Sequence, residues 1–180
     1  MLALGDALAL VTSSLRRFTH EDFAARHPGG SLGRQLMLVE DAMRPLRECR
    51  VAAPDDTVRA VFARPLPARR TGAVMIIDAA GLLAGIFTDS DLARLFERRN
   101  DAALDGAMRD VMTSRPATVA AGTRLRDAFA VLESRRLSEL PVVDPAGRPV
   151  GLLDIVDLVG LVPPAVAEAA AAPRPGSAAA

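Results

Sequence analysis

Residues 74–92 and 140–158 carry one pattern twice. The first copy reads VMIIDAAGLLAGIFTDSDL and the second LPVVDPAGRPVGLLDIVDL. Asp78, Gly81, Gly85, Asp91 and Leu92 recur at one constant offset as Asp144, Gly147, Gly151, Asp157 and Leu158. A duplication of this kind constrains the fold more than composition does. Whatever one copy forms, the other must form too, and a copy too small to bury its own sheet needs the other to cover it.

Each copy opens at a matching tripeptide, Asp41-Ala42-Met43 or Asp110-Val111-Met112. A short apolar edge follows in each, RVAAPDDT and TVAAGTRL, and then a helix. The helix of the second copy spans about Arg124 to Arg135, with Leu125, Ala128, Phe129 and Leu132 on one face. Its counterpart starts at Thr57 and carries Val58, Val61 and Phe62, and Pro65 and Pro67 should end it early. Apolar strands AVMIID and LPVVD come next, then turns at DAAG and DPAG whose glycines suit tight hairpins, then strands LLAGIF and PVGLL. A helix closes each copy, one from the Ser90–Asp91 region and one near Val156. Each copy is thus β-α-β-β-α, the fold class is α+β, and the two copies should pack sheet to sheet.

Half of the 180 residues are hydrophobic, enough for a real core. The 22 basic and 22 acidic residues cancel, which argues against a nucleic-acid or membrane-surface binder. Trp and Tyr are absent and Phe numbers six, too few for a base-stacking platform. Cys49 is alone, which fits a reducing cytoplasm and reads as a buried structural thiol. Leu4, Leu8, Val11 and Leu15 form a helical stripe near the start; with no basic n-region and with Asp6 interrupting the apolar run, this is a helix rather than a signal peptide. Thr19, with Asp22, can cap a short second helix, which HPGGSLGR breaks before another starts near Ser31. The tail from Pro163 is rich in Ala, Pro, Gly and Ser, and is expected to be disordered.

The repeated residues resemble a tandem pair of CBS domains over about 41–162, and GIFTDSD, Gly85 to Asp91, is the specific element. The resemblance implies a pseudo-twofold module whose clefts bind adenosine nucleotides or related ligands. It places the Asp of the element on the ribose hydroxyls and the Thr near the ribose-phosphate. Upstream, GDALAL and FTHEDFAARHPGGSLGR resemble the end of the sugar-isomerase (SIS) domain of arabinose-5-phosphate isomerases, a family that joins an SIS domain to a CBS pair in this order. Residues 1–38 are then an SIS remnant, 39–100 the first CBS domain, 108–162 the second and 163–180 the tail. The remainder of the SIS domain has no counterpart in the chain. His27 matches the family's active-site histidine in HPGG, but one histidine cannot carry an aldose–ketose isomerisation, which needs proton transfer between adjacent carbons and a held phosphate.

Thr88 and Asp91 are the leading ligand candidates. A carboxylate accepts two hydrogen bonds from a cis-diol, and a helix start offers free N–H groups to an anion. The plainer alternative is that Thr88 or Ser90 caps the following helix. Arg94 and Arg98 lie one and two turns further on, where they could neutralise a phosphate or remain solvated surface charges. In the second copy Asp154 stands where Thr88 stands in the first, and it would repel a phosphate placed there. That half-site, with Asp157, is then empty, or takes a nucleoside without phosphate, or holds a cation. The function expected is regulatory binding of an adenine nucleotide or sugar-nucleotide effector, with no required cofactor. Self-association and a sugar-phosphate isomerase partner go with that reading. The rival is a fragment of D-arabinose 5-phosphate isomerase, which interconverts ribulose 5-phosphate and arabinose 5-phosphate for Kdo and lipopolysaccharide synthesis; such a fragment is inactive without its SIS core.

Overall fold

The computed structural model of the protein describes residues 11–16, 36–65 and 71–158. One compact unit, Leu38–Leu161, contains both repeats. Outside it, residues 11–15 are helical, as the apolar stripe predicts, with Val11 and Leu15 exposed. His20 and His27, the cap at Thr19, GGSLGR, Pro67 and the tail lie outside the described residues.

The first repeat comprises β1 (Arg44–Pro45), β2 (Arg50–Ala52), α1 (Val58–Ala63), β3 (Ala73–Ile77), β4 (Leu83–Thr88) and α2 (Asp89–Glu97). The second comprises α3 (Met108–Val111), β5 (Thr113–Ser114), β6 (Val119–Ala120), α4 (Leu125–Arg135), β7 (Glu139–Val143), β8 (Pro149–Asp154) and α5 (Ile155–Leu158). The β-α-β-β-α order is as the repeat predicts. Thr57 caps α1 by accepting from Ala60 N, and α1 stops at Ala63, with Arg64 extended immediately before Pro65. Its six residues contrast with the eleven of α4. In both hairpins an aspartate organises the turn. Asp78 Oδ1 accepts from the N–H groups of Ala80 and Leu82, and Asp144 Oδ1 from those of Ala146 and Arg148. Gly81 and Gly147 supply the left-handed backbone, at φ of 81° and 83°.

Period-two alternation sets the layers. Val74, Ile76 and Phe87 face Val58 and Val61 of α1 and Met108 of α3. Ala73, Met75 and Ile86 face the other way, onto Cys49 and onto Leu152 of the second sheet. The copies therefore do meet sheet to sheet, and Cys49 is buried as expected. Burial pushes its thiol pKa up to about 11, so it stays protonated and inert at neutral pH.

The strand order departs from two self-contained copies. The sheets run β2-β3-β4-β5 and β1-β8-β7-β6, so each repeat lends its leading strand to the other's sheet. Paired single bridges, Leu38 with Arg124 and Thr57 with Ala107, lace the halves together again. Both two-residue crossing strands depend on a glycine in the strand they join. A Cβ on Gly151 would lie 2.5 Å from the Arg44 carbonyl oxygen and 2.6 Å from Met43 Sδ, and one on Gly85 would overlap Met112 Sδ. Gly151→Ala should push β1 off β8 and cost about 1–3 kcal/mol, measured as a lower urea midpoint. An unchanged midpoint would mean that β1 contributes little to the fold.

Candidate functional site

The end of β4 and the start of α2 form one wall of a cleft of about 610 Å³, a volume suited to a nucleotide-sized ligand. Ile86, Thr88, Asp91 and Arg94 line it from the first repeat. Thr113, Arg115, Pro116 and Ala117 line it from the lead-in of the second, and Arg135, Leu137, Glu139 and Pro141 from the end of α4, the connection after it and β7. The strand exchange builds this cleft, since β5 carries the chain across to β4 and leaves Arg115 at its mouth.

Thr88 and Asp91 form a reciprocal capping box on α2. Thr88 Oγ1 accepts from Asp91 N at 3.2 Å. Asp91 Oδ2 accepts from Thr88 N at 2.9 Å and from Thr88 Oγ1 at 2.8 Å, and Asp91 Oδ1 accepts from Arg94 at 2.5 Å. The capping alternative is thus a structural fact. It fixes the carboxylate at the cleft wall and leaves about one of its roughly four acceptor sites for a further donor, and a second when the exposed Arg94 turns aside. Arg94 lines the cleft. Arg98 lies instead in a neighbouring depression with Asn100 and Asp110.

Arg115, Arg135 and Glu139 were not singled out by the sequence pattern. Arg115 has φ 50°, costly for a residue with a Cβ. Of the two other described non-glycine residues at positive φ, Arg136 caps α4 and Arg99 follows the end of α2. Arg115 has no such helix-ending role and stands at the cleft. The Arg-Pro dipeptide at Arg115-Pro116 does not set it apart, since Arg44-Pro45, Arg64-Pro65, Arg148-Pro149 and Arg174-Pro175 repeat it. Arg94, Arg115 and Arg135 outnumber Asp91 and Glu139 among the lining residues, so the cleft favours an anion.

Glu139 is partly buried between the repeats. Burial first, and then the charges of Asp154, Asp89 and Asp91, hold its carboxyl above the usual carboxylate range. A raised folded-state pKa favours the protonated form. The resulting stability is present below the ordinary carboxylate pKa of about 4.3 and is lost as pH rises through the folded value. Glu139→Gln should therefore stabilise the protein at pH 7.5 by less than about 1 kcal/mol, because solvent screens the charge, and the gain should vanish near pH 4. Urea midpoints of both proteins across that range check this, and a gain independent of pH would exclude the charge as its cause.

Asp154 and Asp157 are not among the residues lining this cleft. They meet Arg44, whose Nη2 lies 3.2 Å from Asp154 Oδ2 and whose Nε lies 2.5 Å from Asp157 Oδ2. Of the three readings open for this half-site, a bound cation is the one the geometry disfavours, because Arg44 already supplies the positive charge. Asp154 also accepts from Val156 N at 2.9 Å, taking over at α5 the capping that Thr88 performs at α2. Among the described residues no group of three or more His, Cys, Asp and Glu side chains could hold a metal ion, and no helix is long and apolar enough to cross a membrane.

The CBS domain family model matches residues 108–163. Among solved structures, CBSX2 in complex with AMP is similar at 28% identity and a TM-score of 0.58, over 68% of this chain and 92% of that one. The fold is that of a CBS-domain pair, and the matched domain is its second half. In sequence it is a homologue of arabinose 5-phosphate isomerases. It is 38% identical to KdsD of Pseudomonas aeruginosa over 88% of this chain and 48% of that one. It is 37% identical to KpsF of Escherichia coli over 87% and 47%. The chain therefore spans about half the length of these curated relatives.

Proposed function

We propose that this CBS pair is a regulatory module that binds an adenine nucleotide, or a related nucleotide such as a sugar nucleotide, in the cleft beside Thr88 and Asp91. The observation that carries the reading is the convergence there of one fixed carboxylate with Arg94, Arg115 and Arg135. A carboxylate suits a ribose diol and arginines suit a phosphate. CBSX2, similar in fold, was solved with AMP. Ligand touching both repeats would favour one relative arrangement of them, and a linked or associated sugar-phosphate isomerase would sense it. Calorimetry with AMP and adenosine tests this. AMP should bind saturably and adenosine at least about tenfold more weakly, the loss of one charge-assisted contact. No heat with AMP, ATP or a sugar nucleotide would exclude the reading.

The isomerase relatives favour a second reading, in which the chain is the C-terminal part of a D-arabinose 5-phosphate isomerase. Residues 1–38 then end the SIS domain, His27 belongs to its active site, and the module sits in the cytoplasm and self-associates. The 180-residue protein alone should not interconvert ribulose 5-phosphate and arabinose 5-phosphate. Turnover by the pure chain would show that it contains a complete active site.

A further inference from the structure

The strand register aligns the two clefts residue by residue. Across β1 and β8, Arg44 faces Leu152 and Pro45 faces Gly151. Across β4 and β5, Thr113 faces Ile86 and Ser114 faces Gly85. Arg44 thus stands where Thr113 stands, as Asp154 stands where Thr88 stands and Asp157 where Asp91 stands. At these three places the first cleft has two threonines and one carboxylate. The second has a guanidinium and two carboxylates. The two exchanges are opposite in charge, and the exchanged side chains touch.

The geometry points to Arg44 as the built-in occupant of the second cleft. Its guanidinium closes that cleft, and the repeat pair takes ligand in the first cleft alone. Which cleft takes a nucleotide rests on the reading proposed above, whereas the closure does not. Three observations carry the closure. The side chains of Arg44, Asp154 and Asp157 are only 9%, 11% and 15% exposed. Arg44 is delivered by β1, a strand fixed on β8. Asp157, the counterpart of the candidate ribose-binding Asp91, spends its Oδ2 on Arg44 Nε. A ligand entering there would have to expel the arginine and leave two buried carboxylates without it, which burial makes costly. The first cleft presents no such barrier. Its Arg94 partner for Asp91 is 57% exposed and can turn aside at little cost. The extra Thr113-Ser114 in the second lead-in explains the difference, because it displaces the Arg-Pro pair outward to Arg115-Pro116.

The full chain serves for the test, in two arms. In the first, Arg44→Ala should lower Tm by roughly 5–10 °C. Ethylguanidinium chloride should raise the Tm of this variant toward wild type, while sodium chloride of equal ionic strength should not, and wild type should not respond. Arg44→Thr/Asp154→Thr, which copies the first cleft at those two places, should fold without that additive and gain nothing from it. In the second, AMP calorimetry should give one site per chain for wild type and two for the double variant. A guanidinium response no larger in Arg44→Ala than in wild type overturns the closure. So does a stoichiometry that the double substitution leaves at one. If Arg44→Ala does not fold, recovery of folding by ethylguanidinium decides the first arm, failure of recovery counting against the closure. If AMP binds no variant, the nucleotide reading falls and the first arm alone decides the closure.

Discussion

Asp91→Ala should weaken AMP binding by about two orders of magnitude, two charge-assisted hydrogen bonds' worth, and cost about 0.5–2 kcal/mol of stability. The two losses have separate causes. Stability falls because Thr88 N and Thr88 Oγ1 both donate to Asp91 Oδ2, and the first turn of α2 loses its reciprocal cap. Binding should fall because, on the proposed reading, Asp91 is the acceptor for the ribose diol. Asp91→Asn separates them, since an amide oxygen can still cap but carries no charge. Comparing AMP with 2′-deoxy-AMP localises the contact: wild type should prefer AMP, and Asp91→Ala should treat the two alike. An unchanged AMP dissociation constant in Asp91→Ala would remove this residue from the ligand site.

The largest stability effect is expected at Phe87. It is fully buried in β4, meets Phe62 edge to face at 6.0 Å between ring centroids, and packs with Val58, Val61, Val74, Ile76 and Met108. The Arg50 guanidinium lies 4.7 Å over the Phe62 ring and covers the far side of that pair. Phe87→Ala removes the central side chain of the first repeat's core and should cost about 3–5 kcal/mol, a large share of the roughly 5–15 kcal/mol of a typical domain. Urea unfolding measures it. A loss below about 1 kcal/mol would mean that the cluster collapses into the space and that Phe87 is not its centre. The position sits one residue before Thr88, so the core substitution should also loosen the cleft wall and weaken AMP.

Much of this architecture was legible in the chain. A strand of five or six residues carries enough alternation to be read, and β3, β4, β7 and β8 recur with their glycines in step. Pro65 correctly signalled a short α1. The crossing strands were not legible, since two residues carry no period. Without them each copy looks self-contained. The candidate site divides along the same line. Thr88, Asp91 and Arg94 are local to one element, and the repeat points to them. Arg115, Arg135 and Glu139 reach the cleft only because the second repeat folds against the first. The Arg44 contacts span 113 and 110 positions of sequence, and no local pattern predicts such a pairing. Reading Asp154 and Asp157 without Arg44 left an empty half-site, a nucleoside or a cation all open, because half of the charge balance lay in the other repeat.

The exchange of leading strands has a consequence for any single copy. A gene encoding one repeat would make a protein whose first strand has no place in its own sheet, so that protein could close only on a twin. Joining two copies in one chain turns that encounter from a meeting of two molecules into the closing of a tether, at an effective concentration in the millimolar range. Tethered halves are free to differ, because a change in one need not appear in the other. A symmetric pair of molecules could not have kept threonine in one cleft and an arginine–aspartate pair in the other. A single chain can, and this one does.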